Sequence, residues 1–308
     1  MKQFFFLLVL GAWGLGLGAC FAQQDALYSQ YMYNQFSLNP AYAGSRDAVS
    51  AVLVYRNQWL GFDGAPVSKT FSIHSPMKGK RVALGLNFIN EQIGPSDNMG
   101  AFGTYAYHLP AAGGKLSMAL RGGVYRYQID VEKLKYKDIT DNKYTNLPTG
   151  KFIPGFDFGL YYYTNTFYSG VAVNHLTGKK FGYADTTYLQ TRLNRHFIAV
   201  AGKAFLINDN LVLKPSTMVR YTEGAPVNLD LNINILLNKM FWVGASYRTS
   251  NDIILIAEFN ITHYLRAGYS YDMSLGKVKN YNSGSHEIFL GFDFDILKKK
   301  TLISPRYL

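Results

Sequence analysis

The sequence has little cysteine, few charged residues and no long apolar run beyond its first segment. Its 308 residues include 1 Cys, and 17 % are charged, against about 25 % in an ordinary soluble domain. A single Cys excludes a disulfide scaffold and a cysteine-based zinc site. After residue 22 no apolar run of about 18 residues occurs, which argues against a helical membrane protein. The 48 % hydrophobic content argues equally against a disordered chain.

Recognisable catalytic and phosphate-binding motifs are also missing. Gly-x-Ser-x-Gly, His-Glu-x-x-His and Gly-x-x-x-x-Gly-Lys-Ser/Thr do not occur. His286-Glu287 resembles half of a zinc motif, but neighbouring side chains on a strand point to opposite faces. The six His are dispersed along the chain. We therefore predict a non-enzymatic protein with no cofactor and no metal site.

The formal net charge of +11 raises the question of a nucleic-acid partner. The Lys and Arg residues are scattered along the sequence and do not form a basic stripe. A basic surface also suits an anionic membrane leaflet. We therefore predict outer-membrane lipid, and no nucleic acid, as a partner.

Residues 1–22 have the pattern of a secretory signal peptide. Met1 and Lys2 precede an apolar run over 4–17, and small residues follow it. Cleavage after Ala22 would leave a mature chain without cysteine. The sequence before Cys20 also resembles a lipoprotein box, so lipidation of Cys20 stays open. Export without a helical span leaves two classes: a secreted or periplasmic protein, or an outer-membrane barrel.

Residue alternation predicts a chain built of strands. Over residues 227–235 apolar side chains alternate with Asn and Asp, and 265–273 and 287–296 alternate similarly. Most of the predicted strands approach the 9–11 residues that a tilted membrane strand needs. We predict fourteen strands, at 48–55, 69–76, 81–91, 98–109, 115–130, 152–163, 166–176, 193–207, 211–222, 227–237, 241–248, 252–261, 265–275 and 285–296.

The connections between these strands favour a membrane barrel over a soluble sandwich. Those after even-numbered strands are tight, whereas the long loops at 56–68, 131–151, 177–192 and 276–284 all follow odd-numbered strands. Outer-membrane barrels alternate short periplasmic turns with longer extracellular loops. We predict an all-β, transmembrane antiparallel barrel over 48–308 in the outer membrane. Aromatic residues near strand ends suit interfacial girdles: Tyr105, Tyr107, Tyr125, Tyr127 and 161–163.

Residues 23–47 precede the first strand and are rich in aromatic residues. Their only charged side chains are Asp25, Arg46 and Asp47. Disordered tails are poorer in aromatics, and a barrel of fourteen strands is wide enough to hold a plug. We predict that this segment packs inside the barrel or across its periplasmic mouth, with a partner subunit as the other surface available to it.

The polar phase of the last six strands carries charges of both signs. We predict that these side chains form an inward network of opposed charges that fills part of the barrel, since buried charges require partners. A solvated pore wall is the alternative. The residues are Arg220, Asp230, Arg248, Glu258, Arg266, Asp272, Glu287 and Asp293.

Several blocks of the chain resemble one known family. The blocks are Ser29-Gln30-Tyr31-Met32, Leu38-Asn39-Pro40-Ala41-Tyr42-Ala43-Gly44, Arg56-Asn57-Gln58-Trp59 with Gly64-Ala65-Pro66, Gln92-Ile93-Gly94, Tyr105-Ala106-Tyr107 and Ser304-Pro305-Arg306-Tyr307. In kind and order they are similar to those of the PorP/SprF family of type IX secretion system membrane proteins. The sequence departs from the family pattern at Leu308, where an aromatic residue is expected.

The resemblance implies an outer-membrane barrel of Bacteroidota that works beside the type IX secretion machinery. It implies as partners a secreted, adhesin-like surface protein with a type B C-terminal sorting domain and a periplasmic motor-ring or peptidoglycan-linked lipoprotein, and it links the protein to gliding motility. It offers no catalytic residues. The candidate motif and partner residues are Asn39, Pro40, Ala41, Tyr42, Ala43, Gly44, Arg56, Asn57, Gln58 and Trp59. The alternatives are a porin or hydrophobic-solute channel, and an outer-membrane hydrolase.

Overall fold

The structure, a computed structural model, describes residues 25–133, 150–178, 180–182 and 190–294. The predicted signal segment 1–22, with Cys20, and the closing block of the family resemblance lie outside these residues. Helical structure within the described ranges is short and includes one α-helical turn, Gln35–Leu38. No helix in this part of the chain is long and apolar enough to cross a membrane.

Strands make up most of the described chain. In chain order they are β1 (Val49–Asn57), β2 (Val67–Pro76), β3 (Val82–Ile93), β4 (Ser96–Ala111), β5 (Gly114–Ile129), β6 (Lys151–Tyr163), β7 (Phe167–Asn174), β8 (Lys180–Gly182), β9 (Gln190–Arg192), β10 (His196–Lys203), β11 (Phe205–Asn208), β12 (Leu211–Thr222), β13 (Asn228–Leu237), β14 (Phe241–Arg248), β15 (Asp252–Asn260), β16 (Leu265–Ser274) and β17 (Ser285–Phe294).

These strands close into one antiparallel barrel. β1 pairs with β2 on one side and with β17 on the other, and β10 joins β7 to β12. β10 and β11 act as a single wall strand, so the described wall has 14 strands. β8 and β9 form a separate small hairpin. The predicted fourteen-strand barrel is confirmed.

The eighth predicted strand, 193–207, differs from the structure because it consists of two pieces. β10 ends at Lys203 and β11 begins at Phe205, and both pair with β12. Extending the register places Pro215 of β12 opposite Lys203. Proline has no backbone N–H to donate to a strand ladder. The break therefore lies where β12 cannot complete the pairing. The β8–β9 hairpin was not predicted either, because it lies within the connection 177–192, which was predicted to be a loop.

Side chains alternate between an apolar outer face and a polar inner face. On β13, Leu231 and Ile233 are 52 % and 48 % exposed, whereas Asp230 and Asn232 are buried. Exposed leucine, valine and phenylalanine side chains also cover the outer faces of β3 to β6. An apolar exterior around a polar interior is the arrangement of a membrane barrel, the inverse of a soluble sandwich.

The predicted aromatic girdle is wrong for several tyrosines. Tyr105 does face outward and is 53 % exposed, but Tyr161 and Tyr163 are buried on the inward phase of β6. The ring of Tyr161 packs edge-on against Tyr42, with 5.4 Å between ring centroids. These rings face inward because they lie on the same alternate phase of β6 as the buried Ile153 and Asp157. The barrel has two rims: the long-loop end, at the 58–66 connection, and the short-turn end, at the 77–81 connection.

Residues 25–47, called here the N-terminal segment, run along the inside of the barrel. At the long-loop end, the Ala26 amide donates to Glu91 near the end of β3. At the short-turn end, Arg46 pairs with Asp293 near the end of β17. Between these points the aromatic side chains are buried and belong to the main apolar cluster of the molecule. The core of this barrel is therefore built by its own N-terminal segment in contact with the inner wall.

Candidate functional site

The first contact region lies at the long-loop end and is centred on Arg56 of β1. Its guanidinium group donates to Asp272 at 2.6 Å, to Glu287 at 3.2 Å and to the Ser29 hydroxyl at 2.7 Å. The Ser29 hydroxyl in turn donates to Asp272 at 2.6 Å. All four side chains are buried. An arginine of the wall thus joins two wall carboxylates to the N-terminal segment.

Glu287 holds the backbone of the segment directly. Its two carboxylate oxygens accept hydrogen bonds from the Ser29 and Gln30 amides, each at 2.8 Å. The Gln30 side chain donates to the Glu287 carbonyl at 3.2 Å. Hydrogen bonds to a charged acceptor are stronger than those between neutral groups. Glu287 therefore fixes both the position and the direction of the chain at this point.

A second ion pair joins neighbouring wall strands just beside the first. Asp230 of β13 and Arg248 of β14 are direct cross-strand partners, and Arg248 Nε lies 2.8 Å from Asp230 Oδ1. The same guanidinium donates to the Tyr28 carbonyl at 3.2 Å. The segment is again anchored by a cation that already has a partner in the wall.

At the short-turn end the segment supplies a charge of its own. Arg46 lies 2.9 Å from Asp293, which also lies 3.2 Å from Arg266, and Arg266 lies 3.1 Å from Glu258. Burial alone would lower the pKa of the Arg46 guanidinium, but the Asp293 carboxylate raises it above its ordinary value. Arg46 is therefore held in its charged form.

Between the two ends, shape complementarity is added to charge, since the Arg121 guanidinium donates to the Phe36 carbonyl at 3.4 Å and to the Ser37 carbonyl at 3.1 Å. Gly159 of β6 and Gly170 of β7 face inward, and a Cβ atom on either would lie under 3.0 Å from the Asn39 side chain. Asn39 fills this niche and donates to the Leu160 carbonyl at 3.0 Å and to the Val171 carbonyl at 3.3 Å. Its Oδ1 atom accepts from the Ala41 amide at 2.9 Å, which caps the helical turn Pro40–Tyr42.

A third wall glycine accommodates an aromatic ring. Gly85 of β3 faces inward, and a Cβ atom there would lie 2.3 Å from the Phe36 ring. Phe36 also packs edge-on against His74, with 5.0 Å between ring centroids. The inner surface of the wall is therefore complementary in shape to the N-terminal segment at more than one place.

The eight predicted inward charges are all buried within the barrel. Seven of them take part in the ion pairs above, whereas Arg220 donates to the Ala26 carbonyl at 3.3 Å. Sequence reasoning missed four further participants, one of which is Arg56, named only as a family-motif residue. Arg46 was noted only as a charge of the segment, and the pair of Arg121 in β5 and Asp157 in β6, 2.6 Å apart, was not predicted.

The family-motif residues lie at two places. Residues 39–44 are buried along the inner wall, and Gly44 adopts a φ of 72° where its missing Cβ would overlap Ala83. Arg56 is the buried cation described above. Asn57 ends β1 opposite His286, while Gln58 and Trp59 begin the first long connection, where the Trp59 amide donates to Ser285. Asn39 and Arg56 thus both contribute to holding the N-terminal segment.

A third cluster brings together residues that are far apart in sequence. Asp25 lies 3.0 Å from His175 and 3.2 Å from His196. Burial alone would raise the pKa of Asp25, but the two imidazoles keep it well below its ordinary value. Burial also opposes protonation of His175, yet Asp25 raises its pKa. Sequence reasoning treated the His as dispersed. The available signal was that His175 and His196 flank the same long connection.

The fold and its surface define the class of the protein. A closed antiparallel barrel with an apolar exterior and a charged interior is an outer-membrane β-barrel. A family model described as "Type IX secretion system membrane protein PorP/SprF" matches residues 20–292. The chain therefore belongs to the PorP/SprF family and is a type IX secretion membrane component of the outer membrane.

Solved outer-membrane barrels are similar in outline only. The Acinetobacter baumannii outer membrane protein Omp33 is 9 % identical, with 80 % of this chain and 99 % of that chain covered, at a TM-score of 0.48. A TodX deletion mutant, a monoaromatic hydrocarbon channel, is 10 % identical, with 88 % and 95 % covered, at 0.48. A Pseudomonas aeruginosa FadL homologue is 10 % identical, with 90 % and 96 % covered, at 0.46. A comparison with curated protein sequences found no match.

Proposed function

We propose that this protein is a non-enzymatic accessory of the type IX secretion system that assists the secretion or surface attachment of one specific, adhesin-like surface protein. In this proposal the N-terminal segment is a plug that closes the barrel. Partner proteins then bind at the two rims of the barrel, and the barrel is not an open channel. The proposed partners are a cargo with a type B C-terminal sorting domain and a periplasmic motor-ring or peptidoglycan-linked lipoprotein.

The observation that carries the proposal is the way the segment is held. Wall residues Glu287, Arg248 and Asp293 contact it through buried, charged groups at both ends of the barrel. Charged groups taken out of water are costly unless they are paired. Buried wall charges that pair with an internal segment hold that segment in the lumen, where it narrows any path for solutes. The arrangement supports a closed barrel whose role is to bind partner proteins.

The orientation of the segment supports a role at both faces of the membrane. Asp25 lies at the long-loop end, and Asp47 lies at the short-turn end, 3.4 Å from Lys80 and 3.9 Å from Lys115. In outer-membrane barrels the short turns face the periplasm. One continuous segment thus connects the periplasmic rim, available to the motor, with the outer rim, available to a secreted protein.

The proposal is tested by deleting residues 26–38 from the chromosomal copy in the native bacterium. We expect the barrel to remain folded and heat-modifiable in gel electrophoresis, because its wall pairing is complete without the segment. We expect surface display of the cognate secreted protein, measured by protease accessibility on intact cells, to be abolished. Gly103→Ala is the matched control, since a Cβ there meets open space.

Two outcomes would contradict the proposal. Display at the wild-type level by the folded deletion variant would show that the segment has no part in surface attachment. Recovery of no secreted surface protein or secretion component with wild-type barrels, purified from outer membranes, would remove the proposed partners. Steady ion conductance by the wild-type protein would favour the channel alternative, and labelling by a serine-directed probe would favour the hydrolase.

A further inference from the structure

Two of the six histidines meet at the long-loop end of the barrel. His175 directly follows β7, and His196 is the first residue of β10, the neighbouring wall strand. Their rings lie edge-on with 5.3 Å between centroids. Both side chains are almost fully buried, at 1 % and 4 % exposure. The connection between these strands therefore begins and ends with an imidazole facing the same point.

Asp25 of the N-terminal segment completes this group. Its carboxylate oxygens lie 3.0 and 3.1 Å from His175 Nε2, and one of them lies 3.2 Å from His196 Nδ1. One donor atom from each of the three residues lies within 4.8 Å of the others. We propose that Asp25, His175 and His196 bind one divalent transition-metal ion, with Zn²⁺ as the best match.

The donor set and its spacing fit such an ion. Two imidazoles and one carboxylate are a common ligand set for zinc sites that keep a fourth position open, with metal–ligand bonds of about 2.0–2.2 Å. Ligands at that bond length lie about 3–3.5 Å from one another around a single ion. The contacts of Asp25 with the two imidazoles fall in this range. Hard cations such as Ca²⁺ and Mg²⁺ prefer oxygen ligands, so two imidazoles argue against them.

An independent observation points to a missing ligand. Neither ring nitrogen of His196, nor Nδ1 of His175, has a hydrogen-bond partner among the described residues. The Asp25 oxygen near His196 Nδ1 is close enough for an ion pair, but it does not meet the geometry of a hydrogen bond. Buried polar atoms are normally satisfied. A metal ion between the three residues would take up the His196 lone pair that nothing in the described chain uses.

The surroundings hold the ligands in place and leave a route for the ion. The His175 amide donates to Asp157 at 2.8 Å, and Asp157 is itself paired with Arg121. Asp25 is 28 % exposed, so the group is open to solvent on that side. The nearby charges include Glu91 and Arg220, which are opposite in sign and both interact electrostatically with Asp25. A bound cation would tie the start of the N-terminal segment to the base of the connection 176–195.

The test uses the purified full-length mature protein in detergent, stripped with a chelator and free of any affinity tag. Titration calorimetry with Zn²⁺ alone should give one site per chain. Co²⁺ should produce the visible d–d absorption of a low-coordinate nitrogen and oxygen site. His175→Ala and His196→Ala should each weaken Zn²⁺ binding by more than about tenfold, because even loss of an outer-sphere partner costs that much. His263→Ala, an exposed histidine in a short turn, should bind as the wild type does.

Asp25→Asn tests the same site with little risk of a folding defect, since Asp25 lies outside the wall strands and Asn has nearly the same shape. It should also weaken Zn²⁺ binding by more than about tenfold while the barrel stays heat-modifiable. The proposal is overturned if the wild type binds Zn²⁺ no more tightly than the folded His175→Ala/His196→Ala variant. It is equally overturned if Asp25→Asn binds as the wild type does.

Discussion

Two stretches of the N-terminal segment are held in different ways. Residues 25–30 meet the wall through charge, with Glu287 accepting two backbone amides while it pairs with Arg56. Residues 36–40 meet it largely through shape, with wall glycines leaving room for Phe36 and Asn39. Arg121 of the wall adds a charged donor to the Phe36 and Ser37 carbonyls. Removing one partner of a charged contact lowers the free energy of unfolding strongly, because the other partner stays buried and unpaired. Altering a close-packed contact lowers the free energy of unfolding less, because neighbouring groups can relax.

The largest effect should follow the removal of Glu287. Glu287→Ala leaves the Ser29 and Gln30 amides without acceptors and removes one of the two carboxylates beside Arg56. We expect the free energy of unfolding to fall by about 3–5 kcal/mol, as for other broken buried ion pairs. Urea unfolding of the folded barrel, followed by tryptophan fluorescence, measures this change.

Asp209→Ala provides the control for Glu287→Ala. Asp209 is exposed in the turn between β11 and β12, and substitutions at such sites change stability by about 0.5 kcal/mol or less. Equal losses in the two variants would mean that Glu287 does not anchor the segment.

A smaller effect should follow the filling of the Asn39 niche. Gly159→Ala places a methyl group where the Asn39 side chain lies, at 2.1 Å in the absence of movement. We expect a loss of about 1–3 kcal/mol, typical of overpacking. Gly103→Ala is the matched control, because its Cβ meets nothing within 4 Å. A loss no greater than that of the control would show that Asn39 does not occupy this niche.

Truncating Asn39 sharpens the same comparison. Asn39→Ala removes the helix cap and leaves the Leu160 and Val171 carbonyls without this donor, so we expect a loss of about 1–2 kcal/mol. Because the niche and its occupant are in contact, the combined variant Gly159→Ala/Asn39→Ala should lose less than the sum of the two single losses. Strict additivity in urea unfolding would contradict the contact.

The smallest effect should occur at the short-turn rim. Asp47 is 40 % exposed and lies 3.4 Å from Lys80. Exposed ion pairs contribute about 1 kcal/mol or less and are screened by salt. Asp47→Asn should therefore change the unfolding midpoint slightly at low ionic strength and not at all in 1 M salt. A large loss that persists at high salt would place Asp47 among the buried anchors.

The wall was predictable because period-two alternation is a local property. In each strand the local sequence decides which side chains face inward, as in β13, where Leu and Ile alternate with Asp and Asn. Contacts between distant strands were not predictable in the same way. Arg121 pairs with Asp157 only because β5 and β6 align across the connection 130–150, whose length does not fix the register. The Asp25 cluster likewise depends on the path of the N-terminal segment through the barrel.

Single-channel recording in planar bilayers tests the central claim most directly. If the N-terminal segment fills the barrel, the wild-type protein should show no steady conductance. The variant lacking residues 26–38 should then conduct steadily, because fourteen strands enclose an interior wider than their own side chains fill. Large, steady conductance by the wild type, unchanged by the deletion, would contradict the account.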